Sequence, residues 1–306
     1  MRRRTTVLLA AFVLALVAPL APARAITNGQ PDGGAHPYVG QLLFYQPGES
    51  DPRFTDPGSW FNCTGTLVDP THVVTAGHCT FGTGRNGQET ADGSGGNDVW
   101  ISFAEVPDYS ILPPSSTFVP SNAARYAAWS AALDASTEWV RATAYPHPDY
   151  DENAFYLHDA GVLVLSEPVV MGTYGTLPSQ GLIDRLYKAD KNATYTAVGY
   201  GLEKSMPQGV EGGDTRRVAT VKINSLNGVY GSGKGTAVGY SSNKGKPHTG
   251  GTCFGDSGGP TFPKGSTTVI TVTSFGIDQN CKAGGGGYRL DQPDDLAFLA
   301  GFGLTP

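Results

Sequence analysis

Charged side chains are scarce in this 306-residue chain: Asp, Glu, Lys and Arg together make 16%, against roughly 25% in an average globular protein. Cations are the scarcer sign, with 21 Lys and Arg against 27 Asp and Glu and a formal net charge of −6. A chain poor in cations releases few counterions from a phosphate backbone, which excludes nucleic acid as the main partner. Beyond residue 25 no apolar run approaches the ~20 residues of a membrane-spanning helix. Cysteine is limited to four residues, spaced by 16, 174 and 28 with no C-x-x-C, and such spacing fits no compact zinc motif. There is no repeat of fixed period and no alternation of strand and helix patterns, so neither a solenoid nor a doubly wound parallel sheet is indicated. Disorder is excluded as well, because 39% of residues are hydrophobic and 10% aromatic.

What is abundant is glycine, 42 residues, with 22 prolines. The amino terminus is built differently from the rest. Arg2, Arg3 and Arg4 precede 14 apolar residues, 7–20, and Ala23-Arg24-Ala25 follows. A basic start, a short apolar stretch and an A-x-A site form a secretory signal peptide, expected over 1–25. Its removal leaves 17 basic and 27 acidic residues. Four cysteines in an exported chain suggest two disulfides in any of three pairings. The pairs close in sequence, Cys63–Cys79 and Cys253–Cys281, are the economical choice, which spacing alone does not establish.

Short apolar or alternating runs fall at 38–44, 66–75, 99–103, 140–144, 160–165, 195–200, 217–223, 236–240 and 268–275. Many short strands joined by turn residues predict an all-β barrel or sandwich. Two segments read as helical: the Ala-rich 122–133, and 294–302 after Pro293, a short C-terminal helix. The stretch 81–97 is dense in Gly, Asn and Asp. It reads as a polar surface loop rather than a calcium site through Glu89, Asp92 and Asp98, because EF-hand spacing is absent.

Three segments carry chemistry. In Gly255-Asp256-Ser257-Gly258-Gly259-Pro260, glycines let the backbone turn sharply and aim N–H groups at one point. That suits stabilisation of an oxyanion beside a serine nucleophile. Thr75-Ala76-Gly77-His78-Cys79 ends an apolar run, so His78 is a general-base candidate at a strand end. In His158-Asp159-Ala160-Gly161-Val162, a carboxylate opens an apolar strand. Burying it unpaired is costly, and an imidazole N–H would offset the cost. Asp149 and Asp151 are rivals, but both lie in the polar stretch 146–153.

With these three motifs in the order His, Asp, Ser, the sequence resembles the chymotrypsin/trypsin family of serine peptidases over nearly all of 26–306. The resemblance implies two six-stranded antiparallel β-barrels with the active site in the cleft between them, divided here as 26–178 and 179–306. It implies His78 as general base, Asp159 as its orienting partner, Ser257 as nucleophile, and the N–H groups of Gly255 and Ser257 as oxyanion hole. Ser274, in Thr273-Ser274-Phe275-Gly276, would hydrogen-bond Asp159, and that strand would pair with substrate. The family's disulfides agree with the economical pairing. Ile26-Thr27-Asn28-Gly29 resembles the family's mature start, where a freed Ile ammonium meets the Asp before the nucleophile, here Asp256. Ile26 directly follows the A-R-A site, so signal cleavage itself is expected to free it; cleavage after Ala23 is the alternative.

The resemblance implies a substrate pocket whose floor lies six residues before the nucleophile, at Gly251, with Thr252, Phe275, Gly276 and Gly286 around it. A floor without charge suggests acceptance of Phe, Tyr, Leu or Met, while Asp278 reaching in would favour Arg or Lys. The sequence departs from the family in having two disulfides and 81 residues between His78 and Asp159. The excess corresponds to insertions at 81–97 and 122–135, which either rim the cleft or form inert surface. Sequons at Asn62 and Asn192 carry no assigned function. The expectation is a secreted, monomeric serine endopeptidase acting on polypeptides without cofactor or metal. A catalytically silent binding protein on the same fold, or an esterase, is the alternative.

Overall fold

The computed structural model describes residues 26–90, 93–206, 209–228, 235–241 and 249–306. The expected signal peptide lies outside these residues, as does Asp92. A two-residue strand, β1 (Gln30–Pro31), precedes six that close into a barrel: β2 (Val39–Gln46), β3 (Ser59–Leu67), β4 (His72–Thr75), β5 (Val99–Ser102), β6 (Val140–Pro146) and β7 (Gly161–Leu165). Their order around the barrel is β2-β3-β4-β7-β6-β5, every pairing antiparallel, with β5 returning to β2. After β8 (Thr194–Gly199) comes a hairpin, β9 (Leu202–Met206) and β10 (Gly209–Gly212). Then follow β11 (Arg217–Ser225), β12 (Ala237–Ser241), β13 (Pro260–Pro263), β14 (Thr271–Gly276) and β15 (Gly285–Arg289). Strands β8-β11-β12-β15-β14-β13 close a second antiparallel barrel, because β8 pairs with both β11 and β13. β1 lies on the outer edge of β11. The expected double barrel is therefore the architecture found.

Alternation explains the strands that sequence inspection located. Along β11, Arg217, Ala219, Val221 and Ile223 are buried while the residues between them are half-exposed. The run at 66–75 is not one strand. Asp69 Oδ1 accepts the N–H groups of Thr71 (2.7 Å) and His72 (2.8 Å), and this turn separates β3 from β4. β13 and β15 escaped notice because Pro and Gly ordinarily punctuate strands. Here the glycines of β15 admit rings from neighbouring strands: a Cβ on Gly286 would collide with Phe275, and one on Gly287 would lie 2.7 Å from Tyr240.

Among the described residues three α-helices decorate the barrels: α1 (Asn122–Asp134), α2 (Leu182–Ala189) and α3 (Pro293–Ala300). α1 is capped by Ser121 and by the distant Asp56 carboxylate, which accepts from Asn122 N (2.7 Å) and Ala123 N (2.7 Å). Its Tyr126 and Trp129 pack on Tyr45 and Trp60 of the first barrel. α3 folds back onto the first barrel, where Phe298 meets His147. No helix among the described residues is long and apolar enough to cross a membrane.

The two barrels share a core. One cluster of buried apolar side chains runs from Leu42, Val74 and Leu163 to Phe262 and Tyr288. Buried Arg216, just before β11, crosses the junction. Its guanidinium donates to Asp32 Oδ2 and to the carbonyls of Val39 and Phe103, each at 3.0 Å. Three acceptors on one buried cation satisfy a group that would otherwise oppose folding.

Candidate active site

The site lies where the barrels meet. His78 is held in a single helical turn, Gly77–Cys79, immediately after β4. The Cys63–Cys79 disulfide ties that turn to β3. Asp159, just before β7, is fully buried. Its Oδ1 accepts the backbone N–H of His78 at 2.9 Å, and its Oδ2 lies 3.0 Å from His78 Nδ1. A carboxylate only accepts, so Nδ1 carries the proton and the lone pair of the neutral ring is on Nε2. From the second barrel, Ser274 Oγ donates to Asp159 Oδ2 at 2.6 Å. Ser274 sits at the irregularity in the β14–β15 register between Thr273 and Phe275, where a bulge re-aims a side chain.

Burial pushes the His78 imidazole down in pKa. The adjacent Asp159 charge and its hydrogen bond push it up and prevail, so the net shift is upward from 6.5.

Ser257 arrives from the second barrel. Its carbonyl accepts Thr64 N–H of β3 at 2.7 Å, and Gly258 N–H donates to Thr273 O at 2.8 Å. Gly258, at φ +75°, lies so close to the end of β4 that an added Cβ would stand 2.9 Å from Ala76 N. No larger residue fits there. This approach brings the nucleophile candidate to the strand end that carries His78. Gly255 takes φ +96°, a conformation that favours glycine, and its carbonyl accepts Thr64 Oγ at 2.9 Å.

Thr64 therefore holds the Gly255–Ser257 turn through two bonds, and its Oγ also accepts Tyr200 N–H at 3.2 Å. Sequence reasoning missed it. The only local signal was its place beside Cys63, in a sequon to which no function was assigned.

A cavity of about 330 Å³ opens beside Ser257, lined by Thr252, Ser274, Phe275, Gly276 and Asp278 among others. Gly251 and Gly286, counted as pocket positions from the sequence, do not line it. Gly251 is paired with Thr27 (N–O 3.0 and 3.2 Å), and the space over Gly286 is filled by the Phe275 ring. Asp278 does reach the lining, with Oδ1 held by the N–H groups of Lys282 (2.8 Å) and Ala283 (3.0 Å). The Cys253–Cys281 disulfide joins the segment leading into the Ser257 turn to this wall.

Ile26 and Asp256 both converge on Gly201. Ile26 N lies 3.3 Å from Gly201 O, and Gly201 N–H donates to Asp256 Oδ1 at 2.8 Å. Asp256 Oδ2 accepts Cys253 N–H at 2.8 Å. Burial, reinforced by the charge of Glu203 and opposed by these two N–H groups, pushes the Asp256 carboxyl up to about 7.

The calcium alternative finds Asp98 already engaged. It accepts from Arg141 (3.0 Å), Tyr126 Oη (2.7 Å) and Gly87 N–H (2.6 Å), so its carboxylate serves to fasten α1 and the 81–97 loop to the barrel.

A double β-barrel whose cleft holds a His–Asp pair and a glycine-flanked serine is the architecture of a serine-type endopeptidase. The model of the family described as Trypsin matches residues 128–290, more than half the chain. The chain belongs to that family, whose members are serine-type endopeptidases. Among solved structures, that of HL collagenase superposes with a TM-score of 0.59 at 17% identity, over 92% of this chain and 100% of that one. At such identity the likeness is one of fold. No curated protein matches in sequence.

The His78 ring is expected to titrate above 6.5, and Asp159→Asn should lower that midpoint. Imidazole NMR across pH 4–9 checks both; a wild-type midpoint below 6.5 would mean that burial outweighs Asp159.

Proposed function

We propose that the protein is a secreted endopeptidase in which His78, Asp159 and Ser257 form the catalytic triad. The observation that carries this reading is the buried Asp159 carboxylate, bonded from one side to His78 and from the other to Ser274. With Nδ1–H committed to Asp159, Nε2 of His78 is the base that takes the Ser257 proton as Oγ attacks the scissile carbonyl. The N–H groups of Gly255 and Ser257 receive the developing oxyanion. His78 then protonates the leaving amine, and water resolves the acyl-enzyme by the same steps. Ser257→Ala should lower turnover of a peptide substrate by roughly six orders of magnitude, leaving about 10³–10⁴-fold acceleration over water. It should also abolish labelling by a fluorophosphonate. Labelling of the wild type with no casein cleavage would favour an esterase, and failure of the wild type to label would favour the silent binding protein.

The mature chain begins at Ile26 in this reading, as two units of 26–178 and 179–306 acting as a monomer. A free ammonium there would supply the cation that the buried Asp256 carboxylate needs, and breaking such a pair costs about 3–5 kcal/mol. Cleavage also removes a conformational obstacle. Ile26 is β-branched yet stands at φ +52°, a region β-branched residues avoid, and an amino-terminal residue has no preceding carbonyl to clash with. Amino-terminal sequencing of the secreted protein should read Ile-Thr-Asn-Gly. A start at Arg24 leaves two residues to be trimmed, and an active enzyme with that start refutes the ion pair.

The cavity beside Ser257 is walled by Phe275, Thr252 and Gly276, uncharged groups that support Phe, Tyr, Leu or Met before the scissile bond. Asp278 in the lining supports a second reading, preference for Arg or Lys. A panel of chromogenic peptides should show the apolar residues cleaved faster; fastest cleavage after Arg or Lys gives the specificity to Asp278.

A further inference from the structure

Across the Gly255–Ser257 turn from the substrate pocket, the cleft continues along β3. A Cβ on Gly255 would stand 3.0 Å from Asn62 Nδ2, so Asn62 flanks the Gly255–Ser257 turn. The substrate pocket and β14 occupy one side of that turn. With Ser257 as nucleophile and that pocket holding the residue before the bond, as proposed above, the chain beyond the bond leaves by the other side, past Asn62.

Asn62 and Phe61 form the near edge of a second cavity, of about 350 Å³. Its other walls come from Arg53 before β3, from Trp60 at the start of β3, and from Arg125 and Trp129 of the inserted helix α1. The two arginines converge on one carboxylate. Arg53 binds Asp51 through Nε (2.9 Å) and Nη2 (2.6 Å), and Arg125 Nη1 reaches Asp51 Oδ2 at 3.2 Å. The Arg53 hydrogen bonds hold the Asp51 carboxyl well below the usual carboxylate range. Asp51 thus stays ionised, and the trio retains one positive charge in a chain that is acidic overall.

Two donors in this lining are unspent. Arg125 is 2% exposed, and its Nε has no hydrogen-bond partner among the described residues; the same holds for Trp60 Nε1. Buried donors left without acceptors are costly. Arg53 is in contrast largely exposed, at 60% of its side chain, and presents its guanidinium at the rim.

We propose that this cavity is a subsite for an acidic side chain of the substrate polypeptide on the leaving side of the scissile bond. Aromatic walls take the methylenes of the side chain, and the surplus guanidinium charge takes its carboxylate. An extended strand advances about 3.4 Å per residue. Trp60 lies two residues along β3 from Asn62, which places the acidic residue about two or three positions after the bond. The inserted α1 is then part of the specificity apparatus and not inert surface.

The proposal rests on Ser257 as nucleophile only for turnover, so the test reads turnover and binding separately. Internally quenched peptides identical except for Glu, Gln or Lys at the second and third positions after the bond are compared by kcat/KM. The expected order is Glu, then Gln, then Lys, with Glu roughly three- to tenfold above Gln, and the gap narrowing as NaCl rises from 0.05 to 0.5 M. Arg53→Gln, at an exposed side chain, should bring the Glu-to-Gln ratio towards one. Binding is measured by fluorescence anisotropy on Ser257→Ala protein with labelled Glu and Gln forms of the leaving segment. Tighter binding of the Glu form supports the subsite even if no peptide is cleaved, and in that case only the catalytic reading falls. Equal binding of the two forms, or a ratio that Arg53→Gln leaves unchanged, overturns the subsite whether or not the peptides are cleaved.

Discussion

A fully buried carboxylate is tolerable only where donors surround it, and Asp159 is such a group. Its donors come from both halves of the molecule: the backbone and ring of His78 from the first barrel, and the hydroxyl of Ser274 from the second. Satisfying this one charge therefore requires the barrels to close against each other in a single arrangement. The same requirement fixes the His78 tautomer, sets its upward shift in pKa, and positions the ring at the mouth of the cleft.

Other contacts at the junction repeat this logic. Arg216 spends its guanidinium on acceptors of the first barrel, and Tyr200 Oη donates to Ala104 O at 2.6 Å. Thr64 reaches the other way and pins the turn that carries Ser257. Buried polar networks of this kind are satisfied only when every member is in place, so a small slip between barrels would unmake several bonds at once. The His78–Asp159–Ser274 geometry and barrel docking share one set of interactions. Asp256 stands apart from this network. It is buried at the same junction, but its two partners are neutral N–H groups, and its carboxyl is pushed up to about 7.

Much of the fold was legible in the chain. Period-two alternation in β11 and the apolar run of β7 follow from burial of alternate or all residues, and the Ala-rich α1 from intrinsic propensity. β13 and β15 were not legible, because their Pro and Gly residues mark turns in most contexts. β15 is a strand here because Phe275 and Tyr240 need the space that its glycines leave, and β13 because β8 and β14 pair with it on either side. α2 passed unremarked, since its eight residues are short for a helical pattern to declare itself. At the site, His78, Asp159 and Ser257 could be picked out because each chemistry demands a local setting: a strand end, a carboxylate opening an apolar strand, a glycine-flanked hydroxyl. Thr64 could not, because its role lies in bonds to Gly255 and Tyr200, well over a hundred residues away. Gly251 and Gly286 were misjudged as pocket lining, because counting along a chain does not reveal which ring lies above a glycine.

The amino-acid sequence alone determined the fold class and the family of the protein, and marked His78, Asp159 and Ser257 as candidates, since strand periodicity and the immediate neighbours of a side chain are local properties. Which residues line the cavity beside Ser257, which threonine holds the Gly255–Ser257 turn, and what α1 builds beside β3 were decided only by tertiary structure. Those outcomes depend on packing and hydrogen bonds between segments distant in the chain, and local sequence carries no record of such distances.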